Sequence, residues 1–194
     1  MKTQKHTLPA NLSCMTEAEF FNFASQMDNM RMERTKQGTI IIMPPIGLET
    51  GRKNGNIFGY LFIWNITYSL GVVFDSSSGY TLADTSVRSP DASWLRQASW
   101  DSLPTEDRKK FAPICPEFVV ELMSESDELA EAQLKMGHWR DNGCLLGWLI
   151  NPKTEKVYIY RAGSLEVEEI TGFEQILSGE NILPAFAFDL RKLL

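Results

Sequence analysis

Apolar positions along the chain repeat with two different periods, and each change of period marks a new element. Phe20, Phe21 and Phe23 give the segment after Thr16 an apolar helical face. Thr16 is placed to cap that helix, and Glu19 stands three residues on, the capping-box spacing. Residues 31–34 and 39–43 read as two strands around the turn Lys36-Gln37-Gly38, and Pro44-Pro45 ends the hairpin. From about residue 50 to 69 the period is helical again. Ile57, Tyr60, Leu61, Trp64 and Tyr68 recur on it, and Gly71 closes it. Residues 72–74 make a short strand, and 75–79 a loop.

The second half alternates more tightly. Residues 87–95 read as a strand that carries Asp91, and residues 118–123 as a core strand that carries Glu121. Between them, residues 99–111 are polar and predict a surface excursion. A helix is expected to begin within residues 124–127 and run to about 140, where Asn142-Gly143 stops it. Residues 145–150 form the next core strand. This strand–helix–strand order implies a crossover and a parallel strand pair. Residues 156–161 and 165–170 flank a turn at Ala162-Gly163, and residues 182–194 are a short apolar tail. The pattern predicts an α/β fold: a mixed central sheet flanked by helices, with an N-terminal helix and hairpin. One domain is expected over residues 1–194, with residues 1–15 a loosely ordered lead-in.

Two carboxylates interrupt this pattern. A carboxylate in a core strand is costly unless something positive meets it. Side chains of a strand alternate between faces, so Val119, Glu121 and Met123 share one face and Phe118, Val120 and Leu122 the other. Ser89, Asp91 and Ser93 likewise share a face, and both acids can point to the same side of the sheet. Two convergent carboxylates suit a hard cation with oxygen ligands, such as Mg2+, with the main-chain carbonyl of Leu122 as a further ligand. Lys135, on the following helix, would complete the set for metal-assisted phosphodiester hydrolysis.

Composition narrows the chemistry. The chain has 194 residues, 43% hydrophobic and 23% charged, the proportions of an ordinary globular protein. No apolar run approaches bilayer length, and the first residues lack the apolar core of a signal peptide, so a cytoplasmic protein with no membrane partner is the default. Cys14, Cys115 and Cys144 are too few for a disulfide framework. With only His6 and His138, a metal would have to be held by oxygen. The net charge of -6 argues against non-specific coating of nucleic acid. A local basic groove could still draw on Arg31, Arg34, Lys36, Arg52, Lys53 and Arg88, of which Arg52, Lys53 and Arg88 are the nucleic-acid contacts expected here.

The pattern resembles the PD-(D/E)XK restriction-endonuclease-like superfamily. Pro90-Asp91 supplies the first acid and Glu121 the second, but Met123 stands where the lysine is usual. This departure resembles one branch, the Uma2 family, in which the lysine has moved to the following helix. The matching residues are Val119-Val120-Glu121-Leu122-Met123-Ser124, then Ser126-Asp127, then Lys135. Further matches are Arg31-Met32-Glu33, the run Arg88-Ser89-Pro90-Asp91-Ala92-Ser93-Trp94, the segment Gly147-Trp148-Leu149-Ile150-Asn151-Pro152, and Leu177-Ser178-Gly179-Glu180 followed by Leu183-Pro184. The resemblance implies a restriction-endonuclease-like fold and an Mg2+-dependent DNA endonuclease, with Mn2+ able to substitute. Asp91 and Glu121 would ligate the metal, and Lys135 would reach the site from its helix. Glu33 would orient a water, a second metal or Lys135. A homodimer is expected, because cutting two strands with one site per chain favours two-fold symmetry.

Each residue also has a plainer explanation. Asp91 can bond backbone in a turn after Pro90, Glu121 can be a solvent-face strand residue, and Lys135 can pair with Glu131 one turn away. Glu33 can pair with Arg31 or Arg34 across the hairpin. The stretch Gly47-Leu48-Glu49-Thr50-Gly51-Arg52-Lys53 lacks the spacing of a phosphate-binding loop and reads as the cap of the long helix. Two other functions stand beside the nuclease. One is a catalytically silent nuclease-fold module that binds nucleic acid or a protein partner. The other is an interaction protein whose carboxylates form a buried salt-bridge network with Arg88 or Lys135.

Overall fold

The structure, a computed structural model, describes residues 15–27 and 30–194. The expected lead-in lies, apart from Met15, outside the described residues. Helix α1 (Glu17–Ser25) opens with the predicted capping box: Thr16 accepts from the Glu19 amide, and Glu19 reaches back to the Thr16 N–H at 2.7 Å. The hairpin β1 (Arg31–Arg34) and β2 (Ile40–Met43) follows in antiparallel register, turning at Gly38 with φ of 85°. Helix α2 (Leu48–Tyr68) buries Ile57, Leu61 and Trp64. It ends at Ser69 in the left-handed region, two residues before the expected Gly71. Gly71 instead opens strand β3 (Gly71–Asp75), where a Cβ would collide with the Leu95 carbonyl oxygen and the Trp94 indole. Its requirement is close approach rather than a helix stop.

The strand expected over residues 87–95 is two strands. After β4 (Tyr80–Thr81), β5 (Val87–Arg88) pairs with β1 and β4, whereas β6 (Ala92–Arg96) pairs with β3 and with β7 (Phe118–Leu122). The chain leaves one sheet and enters the other at Ser89-Pro90-Asp91. Pro90 cannot donate to a ladder, which explains the break at that point. The polar stretch between β6 and β7 contains α3 (Gln97–Ser102) and a 3-10 turn (Asp107–Lys109). Helix α4 (Leu129–Asp141) starts later than predicted. Residues 124–127 form a turn in which Asp127 accepts from the Ser124 amide at 2.7 Å.

Strands β8 (Leu146–Asn151), β9 (Lys156–Arg161) and β10 (Glu168–Thr171) complete a six-stranded sheet in the order β10-β9-β8-β7-β6-β3. The β7–α4–β8 unit makes its parallel pair, and the other pairings are antiparallel. The fold is therefore the expected α/β class, a mixed central sheet flanked by helices. The apolar tail holds more order than expected: β11 (Ile176–Ser178) pairs with β12 (Ala187–Asp189), and a 3-10 turn (Leu190–Leu193) follows.

Alternation along β7 divides the interior in two. Phe118, Val120 and Leu122 face α2 and the C-terminal hairpin, in a core with Trp64, Trp94, Trp148, Phe186 and Phe188. Val119 and Met123 face α4, with Met136, Trp139, Leu149 and Tyr158. Gly147 on β8 lets α4 lie close, since a Cβ there would stand 2.5 Å from the Met136 methyl. That close approach allows side chains of α4 to reach the acid on β7.

Candidate active site

Glu121 lies on the α4 side of β7 between Val119 and Met123, as the alternation predicts, and is 8% exposed. Both of its oxygens are held from one face of α4, where residues four apart are neighbours. Trp139 Nε1 donates to Oε1 at 2.8 Å, and Lys135 Nζ lies 2.9 Å from Oε1 and 3.0 Å from Oε2. Lys135 also contacts Glu33 Oε1 at 2.8 Å and donates to the Ser89 carbonyl at 3.1 Å. Met123 is buried in the apolar cluster on this same face. The cation is thus supplied by the helix, not by the strand position two residues after the acid.

Glu33, from β1, is 2% exposed and tightly held. Its Oε2 pairs with Arg88 at 2.9 Å, and its Oε1 accepts from the Ser89 amide at 3.0 Å. Burial alone would raise this carboxyl, but Lys135 and Arg88 outweigh it and hold Glu33 below the usual range. Glu121 goes the other way. Burial pushes it up to about 7 against the pull of Lys135, with the negative charges of Asp91 and Glu33 adding to the rise. The difference is one of partners: Glu33 has two cations, while Glu121 shares one. Lys135 is raised, because the two glutamates more than offset its own burial, so it stays protonated at neutral pH.

Asp91 sits at the crossing between the two sheets rather than inside a strand. Its N–H donates to the Val120 carbonyl at 3.0 Å, and its Oδ2 accepts from the Leu122 amide at 2.8 Å. This clamp lays Asp91 against the last peptides of β7, one residue from Glu121. Its Oδ1 accepts from Asn54 Nδ2 at 3.1 Å, from the first half of α2. Burial raises Asp91 above the usual carboxylate range despite the Leu122 amide, Lys135, Arg31 and Asn54.

Glu33, Asp91, Glu121, Leu122 and Lys135 are therefore brought together from β1, the β5–β6 crossing, β7 and α4. Of the nucleic-acid contacts expected from sequence, Arg88 joins the cluster and Arg52 and Lys53 lie on α2. Arg88 is buried in its ion pair with Glu33, not on an exposed groove. Arg52 bonds Glu49 at 2.6 Å and the Leu194 carbonyl at 2.9 Å, tying α2 to the end of the chain, and Lys53 lies 3.7 Å from Glu49. Sequence reasoning missed Asn54, Trp139 and Ser89. Trp139 carried a readable signal, four residues after Lys135 on the same helix face. Asn54 carried none, because its neighbour Asp91 is 37 residues away in the chain.

The donor set fits a hard divalent cation. Among the described residues no three His, Cys, Asp or Glu side chains form a ready-made metal cage. Mg2+ sites instead use one or two carboxylates and keep several waters. Asp91 and Glu121 each hold one hydrogen bond or more per oxygen from fixed donors, the outer support that orients metal-ligating carboxylates. Among the described residues, three buried polar atoms beside this cluster have no hydrogen-bond partner: Asn54 Oδ1, Arg31 Nε and Arg88 Nε. Asn54 Oδ1, next to Asp91, is an acceptor suited to a metal-bound water.

The fold and this cluster define an α/β protein with a carboxylate–lysine centre at the end of a parallel strand pair. The same fold occurs in a crystal structure described as a "putative nuclease belonging to DUF820" from Anabaena variabilis, with a TM-score of 0.73. That likeness covers 92% of this chain and 97% of the other at 18% identity, so it is a likeness of fold. A family model for Uma2, described as "Putative restriction endonuclease", matches residues 18–191, and the chain belongs to that family. No curated protein matches the chain.

Proposed function

We propose that the protein is an endonuclease that hydrolyses DNA phosphodiester bonds with a bound Mg2+, for which Mn2+ would substitute. The observation that carries this reading is Lys135, bonded to Glu33 and Glu121 beside Asp91 in a Uma2-family chain. Asp91, Glu121 and the Leu122 carbonyl would hold the metal, which supplies an activated water and offsets charge on the attacked phosphate. Lys135, kept protonated by its two glutamates, stabilises negative charge growing on the phosphate rather than accepting a proton. Glu33 positions Lys135 and, through the Ser89 amide, the loop that carries Asp91. Asn54 orients Asp91. The test is cleavage of supercoiled plasmid and of single-stranded DNA with Mg2+ or Mn2+, comparing parent protein with Asp91→Ala. Cutting by the parent alone supports the reading, and equal cutting by both sinks it.

A homodimer belongs to this reading. The outward side of α2 presents Leu48, Phe62, Ile63 and Ile66, with Leu48 95% and Ile63 64% exposed, an apolar face of the kind used for association. After Leu48, Gly51, Gly55 and Gly59 run along this helix with open space over them, and Phe62, Ile63 and Ile66 lie along its last part. Two copies of α2 packed antiparallel about a two-fold axis would seat the bulky part of each on the bare part of the other. Among the described residues no helix is long and apolar enough to cross a membrane. A cytoplasmic location, where DNA is the substrate at hand, fits the same reading.

The silent-module alternative has one observation in its favour. Lys135 is already satisfied by Glu33, Glu121 and the Ser89 carbonyl, as in a purely structural network. DNA binding that survives EDTA without any cleavage would establish it.

A further inference from the structure

A second feature lies on the α4 side of the sheet, away from the carboxylates. A cavity of about 200 Å3 opens between the β3–β4 turn and the segment that follows β6. Phe74 and Trp100, their ring centroids 5.7 Å apart, line it together with Phe21 and Phe111, 5.2 Å apart. Three successive cations, Arg108, Lys109 and Lys110, also line it in a protein whose net charge is -6. The Arg108 guanidinium lies over the Trp100 ring, 4.4 Å from its centroid, and donates to the Leu103 carbonyl at 3.0 Å. Lys109 is exposed and pairs with Glu106, and Lys110 has no ion-pair partner among the described residues.

Empty cavities left by imperfect core packing are apolar. This cavity combines aromatic faces with an anion-attracting rim, which is the chemistry of sites that stack a base and hold its phosphate. Its volume falls below the roughly 300–1,000 Å3 of pockets for drug-sized ligands and suits one base rather than two. We propose that the cavity binds a single unpaired nucleotide, its base among Phe74, Trp100 and Phe111 and its phosphate against Lys109 and Lys110. The choice of a nucleotide over other aromatic anions rests on the nuclease reading.

The cavity is linked to the carboxylate centre through two buried rings. Tyr80 lines it, and the Tyr80 ring meets the Trp139 ring edge-on at 6.2 Å. Trp139 in turn donates to Glu121 at 2.8 Å.

Calorimetric titration with a deoxynucleoside monophosphate, in EDTA so that no metal contributes, tests the site. Inorganic phosphate and the corresponding nucleoside are titrated in parallel. The expected result is saturable binding of the monophosphate to the parent and equally to Asp91→Ala. Each fragment alone should bind at least about tenfold more weakly. Trp100→Ala, and separately Lys109→Glu with Lys110→Glu, should weaken binding at least about tenfold. The second pair is on the surface and leaves the fold intact if Trp100→Ala does not. Absence of binding, phosphate binding as well as the nucleotide, or binding untouched by the lysine pair would each overturn the proposal. Nucleotide binding without DNA cleavage would keep the pocket and remove the nuclease reading. Cleavage without nucleotide binding would do the reverse.

Discussion

The two faces of β7 put different demands on the same five-residue strand. Toward α2, Phe118, Val120 and Leu122 meet an apolar core rich in aromatic rings. Toward α4, Val119 and Met123 meet an apolar cluster too, but Glu121 stands between them among Glu33, Asp91, Lys135 and Arg88. The first face stabilises by removing apolar surface from water. The second carries three carboxylates, and burial leaves Asp91 and Glu121 raised, with the charges of Asp91 and Glu33 adding to the rise at Glu121. On the proposed reading, function is lodged not in a cleft added to the fold but on the side of its central strand where burial of charge is least favourable.

Mutations on the two faces should separate activity from stability. The largest effect is expected for Asp91→Ala and Glu121→Ala, which should lower plasmid cleavage by about a hundred- to a thousandfold or more with the circular dichroism spectrum unchanged. If either cuts at the parental rate, the α4 side is not the working face. Phe118→Ala, on the other face, should cost about 3–5 kcal/mol in urea unfolding while the protein that stays folded keeps its cleavage rate. Lys135→Met should do both moderately. Loss of the shared cation should cost about 1–3 kcal/mol, less than for a fully enclosed pair because the lysine side chain is 21% exposed, and cleavage should fall as well. Asn54→Ala should reduce Mg2+ affinity by about 10–100-fold, the usual consequence of removing an orienting partner, with little change in unfolding midpoint.

A pH series gives the smallest and most diagnostic effect. Glu121 is raised from 4.5 to about 7, so a proton competes with the metal across that interval. Apparent Mg2+ affinity should rise up to about tenfold per pH unit from pH 5 to 7 and flatten above it. Without metal the sign for stability is opposite. A raised carboxyl is comfortable while protonated, so its contribution is fully present below pH 4.5 and is lost as pH rises through about 7. In EDTA, Glu121→Gln should remove that part of the slope. An unchanged slope would mean that Lys135 alone already keeps Glu121 ionised.

Much of this was legible in the chain because periodicity is local. The capping box at Thr16 and Glu19, the alternation that put Glu121 on one face of β7, the parallel β7–α4–β8 unit and the fold class all follow from residues a few positions apart. The family pattern, with Met123 where a lysine is usual and Lys135 on the next helix, was also present in residue order. Local reading failed where a distant contact sets the backbone. Residues 87–95 alternate like one strand, yet Pro90 and the Asp91 clamp on Leu122 divide them between two sheets. Gly71 reads as a helix stop, yet its constraint is Trp94 and Leu95 on the neighbouring strand.

By itself, then, the sequence determined most of the elements, which face of β7 carries its acid, and the residue types available for chemistry. Only the tertiary structure decided that Glu33 joins Lys135, that Arg88 is spent on Glu33 and withdrawn from the surface, and that Asn54 orients Asp91. The physical reason is range. Helix and strand patterns are written within a turn or two of chain, whereas these partners are 37 to 102 residues apart and meet because burying one charge requires another to be brought to it.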